Sequence, residues 1–161
     1  KPVLIHGDGT SLWTLTHSED FAKAFCGIMG NRAAIGEIYQ ITGDESLSWN
    51  RIYDCIGKAL GKPVLKYHVT TDFLSACDPE YTGTLAGDKA HSVVFDNTKL
   101  KALVPDFRAS IPFSEGAARC VRYLQNTPAA QIPDPEFEQF CDRVIKAQES
   151  AKDAFFTSIT R

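Results

Sequence analysis

No stretch of this chain approaches the roughly 20 consecutive apolar residues that a membrane-crossing helix needs, and no charged-then-apolar leader opens it. A cytoplasmic location with no membrane partner is the expectation. Like charges never run in a block of five or six, and the net charge is −3 at pH 7. The chain therefore lacks the basic footprint of a nucleic-acid binder. The five cysteines, Cys26, Cys55, Cys77, Cys120 and Cys141, are odd in number, widely spaced and never arranged as C-x-x-C. They read as reduced thiols, most of them in helical patterns where a free Cys behaves as a small buried hydrophobe. Gly7 and Gly9 form a G-x-G with no G-x-x-G-K behind it, so a hairpin-like turn is expected there and not a phosphate cradle. The chain opens Lys1-Pro2 without a methionine and runs straight into a strand-like segment. It is expected to be the latter part of a longer protein.

What is present suits one ordinary domain: 161 residues, 43% apolar and 23% charged, enough to bury a core. Pro2 to His6 reads as a short strand, and Leu12 to Thr16 as an extended stretch. A helix follows in which Phe21, Ala24, Phe25, Ile28 and Met29 recur at helical spacing, capped by Thr16 or Ser18 and stopped at Gly30-Asn31. GEIYQIT, 36–42, has the β-branched and aromatic composition of a strand covered on both faces. Ser48 caps a helix lined by Trp49, Ile52, Tyr53, Ile56 and Leu60, which Gly61 and Pro63 end; Trp49 reads as core.

Val64 to Val69 is a further strand, followed by a short helix from Thr70 or Thr71 to about Cys77. Residues 78–90 read as an irregular loop of the kind that carries binding contacts. Ser92 to Phe95 reads as a brief strand, and Asn97 as the cap of a short helix that Pro105 ends. Another helix presents Ala117, Cys120, Val121 and Leu124 inward. Pro135 to about Ile159 forms a last helix, acidic first and basic later as its dipole prefers. Its apolar stripe is wide enough to dock on a neighbour, so a noncatalytic interaction domain is one reading. Alternating strands and helices of this length indicate an α/β fold with a few parallel strands, a small accessory sheet and several helices.

Several pieces fall in register with one family. DGTSLWTLTHSED (8–20) runs without a gap along a D-G-T-G-x-R-D-Y-I-H-V-x-D segment, and GEIYQITGDESLSWNRI resembles the strand-turn-helix that follows it. AGDKAHSVVFDNTKLKALVPDF resembles an R-x-G-D segment with its helix start and L-G-W-x-P stop, and PFSEGAARCVRYL resembles a closing helix. The chain thus resembles the C-terminal, substrate-binding half of the extended short-chain dehydrogenases, the NAD-dependent epimerases and dehydratases. The likeness covers 1–127 as a substrate-binding portion and leaves 128–161 as a C-terminal helix.

The resemblance implies a Rossmann-type fold whose NAD-binding part lies upstream on the same chain. NAD or NADP would be bound by the intact protein and not by these residues, which have neither the Gly-rich turn nor a Tyr-x-x-x-Lys pair. The helices through which the family dimerises would also lie upstream, so a homodimer is an expectation for the intact protein only. The implied partner is a small-molecule substrate, sugar-like or otherwise bearing a hydroxyl or carbonyl.

Two departures bear on that substrate. Trp13 and Leu85 stand where the family has arginines that hold a nucleotide sugar's diphosphate, and neither can make charge-assisted bonds. The expected cleft walls are Leu12, Trp13 and Thr14 on one side and Asp88, Lys89 and His91 on the other, with His17 nearby. Trp13 reads as a stacking platform or as the lid of a small sheet. His17 reads as a ligand-facing group or as an orienting residue at a helix start. Asp88 reads as an acceptor for sugar hydroxyls or as a turn residue, and Asp20 as a first-turn acid. An RNA-binding member of the same superfamily is the alternative of a different class.

Overall fold

The computed structural model describes residues 1–159. Its frame is two short sheets. Strand β1 (Val3–His6) pairs in parallel with β4 (Lys66–Val69), from Val3 opposite Lys66 to His6 opposite Val69. Strand β2 (Leu12–Thr14) pairs antiparallel with β3 (Ser46–Ser48). A parallel pair needs a long crossover, and residues 7–65 provide it.

The Gly-Asp-Gly turn that ends β1 holds Gly7 at φ 58° and Gly9 at φ 70°, the left-handed region that glycine enters without strain. It is seated on helix α2 (Trp49–Leu60): Asn50 donates from its backbone N to Gly9 O at 3.0 Å and from Nδ2 to Asp8 O at 2.8 Å. This is the expected turn, and it fixes where β2 sets out.

Helix α2 begins and ends as its sequence dictates. Ser48 Oγ accepts from Arg51 N, and Gly61 at φ 70° closes the C-terminus through its N–H. Ile52 and Cys55 are buried, and the helix packs along α5 (Phe113–Asn126), whose Ala117 and Val121 are buried. Gly57 lies where α2 passes close to its own exit: a Cβ there would stand 2.9 Å from Lys62 O and 3.2 Å from Val64 N, backbone atoms that cannot swing aside. Helix propensity favours alanine at such a position by about 1 kcal/mol. Overpacking costs about 1–3 kcal/mol. Gly57→Ala is therefore expected to destabilise the fold, read as a lower urea midpoint with an unchanged m-value.

The remaining helices are α1 (Ser18–Ile28), α3 (Thr71–Cys77), α4 (Thr98–Leu103) and α6 (Pro135–Ile159). Ala24 of α1, Leu100 of α4 and Phe107 form one buried cluster, with Ile28, Tyr39 and Ile41 packed against it. Val69, Leu74 of α3 and Val144 of α6 form a second, flanked by Leu4, Tyr67, Tyr81, Leu85 and Phe140. Helix α6 is held across β1 and β4 by Tyr67 Oη donating to Glu149 at 2.6 Å and by Lys1 Nζ paired with Asp142 at 2.8 Å and Glu138 at 3.3 Å.

Asp20 binds the two ends of the chain's middle together. It is 1% exposed, and its carboxylate accepts from Ile111 N at 2.8 Å, Lys23 Nζ at 2.8 Å and Ser110 Oγ at 3.2 Å. Burial pushes its carboxyl up, but the bonds from Lys23, Ile111 and Ser110 outweigh that and hold it at about 2.

Several expectations are corrected. Residues 36–42 form no strand; Ile38 is 85% exposed, and no strand among the described residues pairs with them. Residues 92–95 likewise lie beside β2 without joining it, held by Val93 N to Leu12 O and by Leu12 N to Ser92 Oγ. The expected loop at 78–90 is coiled instead, with a π-helical turn over Thr82–Lys89 whose wide bonding shows in Ala90 N donating to Leu85 O.

The cap of α1 is His17, whose Nδ1 accepts from Glu19 N, in place of Thr16 or Ser18. Asn97 does not cap α4 with its side chain; Asp96 takes the Thr98 N–H, and Asn97 is turned to bond Thr42. Of the cysteines only Cys55 is buried, while Cys26, Cys77 and Cys120 are exposed and Cys141 is intermediate; all are free thiols. The α1 face also differs from expectation: Phe21, Phe25 and Met29 are exposed, and Ala24 alone of that set is fully buried.

Candidate functional site

The end of β1, the start of β2, the N-terminus of α2 and the coil at 82–89 meet at Lys89. Its carbonyl accepts from His6 Nε2 at 3.0 Å and from Ser11 Oγ at 2.8 Å. Its ammonium lies 5.6 Å from the Trp13 ring centroid, a cation–π distance, and bonds Asp88 Oδ2 and Thr84 O, both at 3.2 Å. Trp13 tilts against Trp49 at 5.9 Å, and Trp49 stands edge-on to His6 at 5.1 Å. His6 is 8% exposed; burial lowers its pKa against the opposing bond to the Lys89 carbonyl, and the Lys89 charge adds to the lowering, so the imidazole is neutral at pH 7.

The structure brings one residue of each expected wall into contact and sets His17 apart. Trp13 and Lys89 are in contact, with Asp88 paired to Lys89. Leu12 is half-buried and engages Ser92 and Val93 through its backbone. Thr14 meets Ser46 Oγ at 3.4 Å inside the β2–β3 pair. His91 is exposed and folds back to Ala86 O at 3.0 Å.

His17 goes elsewhere. It serves as the α1 cap, and its ring covers Gly116 of α5, where an added Cβ would come within 3.2 Å of Cδ2. It lines a separate cavity of about 450 Å³, mostly apolar, between the β2–α1 junction and α5, together with Ile56, Ile111, Phe113, Val121 and Leu124.

Beside Lys89 lies a second cavity of about 260 Å³, bounded by His6, Trp49, Tyr53, Tyr81, Leu85, Phe137 and Phe140. Sequence reading missed most of these. His6 reads as a strand end, Trp49 and Tyr53 as core, and Phe137 as part of the apolar stripe of the last helix, while Phe140 carries no sequence signal. Leu85 is not an open replacement for an arginine: it packs on the Val69–Leu74–Val144 cluster beside Phe140. The Trp49 indole N–H is buried without a hydrogen-bond partner among the described residues. No group of three or more His, Cys, Asp or Glu converges to hold a metal among those residues.

No family model matches the sequence. Among curated proteins, a 2'-dehydrokanamycin reductase of Streptomyces kanamyceticus is 27% identical over 107 residues, which is 66% of this chain and 30% of that protein. A chloroplast stem-loop binding protein of Arabidopsis thaliana is 30% identical over 63 residues, 39% of this chain and 17% of that protein. Among solved structures, UDP-glucuronic acid 4-epimerase from Bacillus cereus, in complex with UDP-glucuronic acid and NAD, superposes with a TM-score of 0.62 at 22% identity over 78% of this chain and 36% of its own. A dTDP-glucose 4,6-dehydratase from Bacillus anthracis, in complex with NAD, gives 0.61 at 20% identity over 81% of this chain and 36% of its own. The chain spans about a third of the length of the reductase, the epimerase and the dehydratase, and 17% of the stem-loop binding protein. Its fold is that of the C-terminal part of the NAD-dependent epimerases and dehydratases of the extended short-chain type.

Proposed function

We propose that this chain is the substrate-side portion of an NAD(P)-dependent epimerase, dehydratase or reductase, acting on a sugar-like or other hydroxyl- or carbonyl-bearing substrate and without turnover by itself. A Rossmann portion of the same polypeptide holds the dinucleotide. The observation that supports this reading is the segment at 36–42. It has the composition of a covered strand, yet Ile38 is 85% exposed and no described strand pairs with it. A backbone of this kind completes its hydrogen bonds by joining a sheet. Phe21, Phe25 and Met29 of α1 are apolar surface of the same unmet sort.

NAD(P) held by the upstream portion would take a hydride from a carbinol carbon or deliver one to a carbonyl carbon. The residues of this chain orient the substrate and exclude water: Trp13 offers a ring face, Lys89 a fixed cation and Asp88 an acceptor. Two measurements test the reading. The coding sequence upstream of Lys1 is expected to encode a Gly-rich strand-turn-helix and a Tyr-x-x-x-Lys, and its absence overturns the proposal. NADH fluorescence is expected to change on mixing with the extended polypeptide and to stay constant with the 161-residue chain.

The match to a stem-loop binding protein keeps an RNA-binding reading in view. The net charge of −3 opposes it, and many of the cations are already engaged, among them Lys1, Lys23, Lys66, Lys99, Lys101 and Arg119. An RNA hairpin is expected to show no binding at 150 mM salt. Affinity that falls by about 10-fold or more between 50 and 200 mM salt is the signature of phosphate contacts and favours RNA.

A further inference from the structure

The cavity beside Lys89 is walled on one side by α6, and that wall is made of rings. Phe137 and Phe140 stack at 6.4 Å, Tyr81 meets Phe140 at 5.7 Å, and His6 and Trp49 stand opposite. At about 260 Å³ it falls below the range of roughly 300–1,000 Å³ typical of pockets for drug-sized ligands. That is room for one ring and not for a nucleoside diphosphate sugar.

Its charge points the same way. Lys89 is the one lysine or arginine on this wall among the described residues, and Asp88 and Thr84 already occupy its ammonium. A phosphate entering here would lose its hydration against aromatic carbon and meet no free guanidinium fork. Burial raises the Tyr53 and Tyr81 pKa values, so both phenols stay neutral and able to donate. Ring faces with a few neutral donors suit the C–H face and hydroxyls of an uncharged ring.

We propose that Phe137 and Phe140 of α6, together with Leu85, are specificity-determining residues that shape this cavity into a subsite for one uncharged hydroxylated ring and shut out a nucleoside diphosphate. This rests on the substrate-side reading given above. The helix that carries the two phenylalanines is also anchored by Val144 in the core, by Glu149 on Tyr67 and by Lys1 on Asp142, while Phe140 packs on the same core cluster. Removal of Phe137, which is half-exposed, thus opens the cavity without releasing α6.

The test is ligand-observed saturation-transfer NMR on the 161-residue chain, with methyl β-D-glucopyranoside and myo-inositol as probes and UDP-glucose as competitor. At least one probe is expected to receive saturation on its ring C–H protons, and UDP-glucose at equal concentration is expected not to displace it. Phe140→Ala and the half-exposed Phe137→Ala are each expected to weaken probe binding at least 5-fold, while Phe155→Ala, further along α6, leaves it unchanged. Circular dichroism identifies any variant that has lost its fold, and Phe137→Ala, at the cavity rim, then decides the matter.

Saturation of neither probe overturns the proposal, as does displacement by UDP-glucose or unchanged binding in Phe137→Ala. An extended polypeptide that binds NADH while this chain binds neither probe would refute the subsite and leave the substrate-side reading standing. An upstream sequence without the dinucleotide motifs would refute that reading whatever the probes do.

Discussion

Asp20→Ala is expected to lower the unfolding free energy by about 2–4 kcal/mol at pH 7, because it removes a buried acceptor and leaves the Ile111 N–H and the Ser110 hydroxyl without their partner. Lys23, half-exposed, recovers its loss in water. The same carboxylate sets a pH dependence. Its pKa is about 2 in the fold against 3.8 ordinarily, so its contribution is fully present above pH 3.8 and is lost as the pH falls through 2. The shift corresponds to about 2 kcal/mol. Urea midpoints at pH 6 and pH 2.5 measure it: the wild type should lose more stability across that interval than Asp20→Asn, which has no charge to lose. Equal losses in the two proteins would show that Asp20 is not held in its ionised form.

Leu100→Ala is expected to cost about 3 kcal/mol, within the range of roughly 2–5 kcal/mol for a large-to-small change at a fully buried site. Leu100 has no exposed surface and is packed between Ala24 and Phe107, with Tyr39 and Ile41 against the cluster. Alanine at 24 is already small, so the cluster has little on that side with which to fill the space. For a domain of this size the loss corresponds to a fall in melting temperature of about 6–12 °C, measured by circular dichroism at 222 nm. A fall below 2 °C would mean that the site collapses to fill the cavity.

The two substitutions act on one arrangement. Leu100 and Phe107 pin the 98–107 stretch to α1, and Asp20 pins residues 110 and 111 to the first turn of the same helix. Asp20 was legible as a first-turn acid, but its depth was not. A carboxylate three residues after His17 is equally consistent with a solvated face. Only the return of the chain some 90 residues later, bringing Ile111 N and Ser110, makes it a buried tie.

The site was legible to a similar degree. The resemblance implied Trp13 and Lys89 on opposite walls of a cleft, and the structure sets the Lys89 ammonium 5.6 Å from the Trp13 ring centroid. The resemblance put His17 with them because it matches the family's His in the I-H-V part of its D-G-T-G-x-R-D-Y-I-H-V-x-D segment. Strand β2 ends at Thr14, and the chain then turns His17 into the α1 cap and against α5. The cavity under α6 had no signal at all. Its walls come from β1, α2, α3, the 82–89 coil and α6, and no spacing rule joins positions so far apart.

By itself the sequence determined the α/β class, the start and stop of α2, the turn at Gly7 to Gly9 and the course of α6. Each of these is written in hydrogen bonds and apolar periods that span a few neighbouring residues. It also determined that Trp13 and Leu85 cannot grip a diphosphate, since that follows from side-chain chemistry alone.

The tertiary structure decided where those side chains work. It left 36–42 without a strand, because a strand exists only with a partner to bond. It coiled 82–89, and it laid α6 over Leu85, which stands where the family has an arginine, so that this side chain packs beside Phe140 in the wall of the cavity. The physical reason is the range of the forces that matter. Caps and helical faces are set by local bonds, whereas burial, ring contacts and the 260 Å³ cavity depend on which distant segments share a surface.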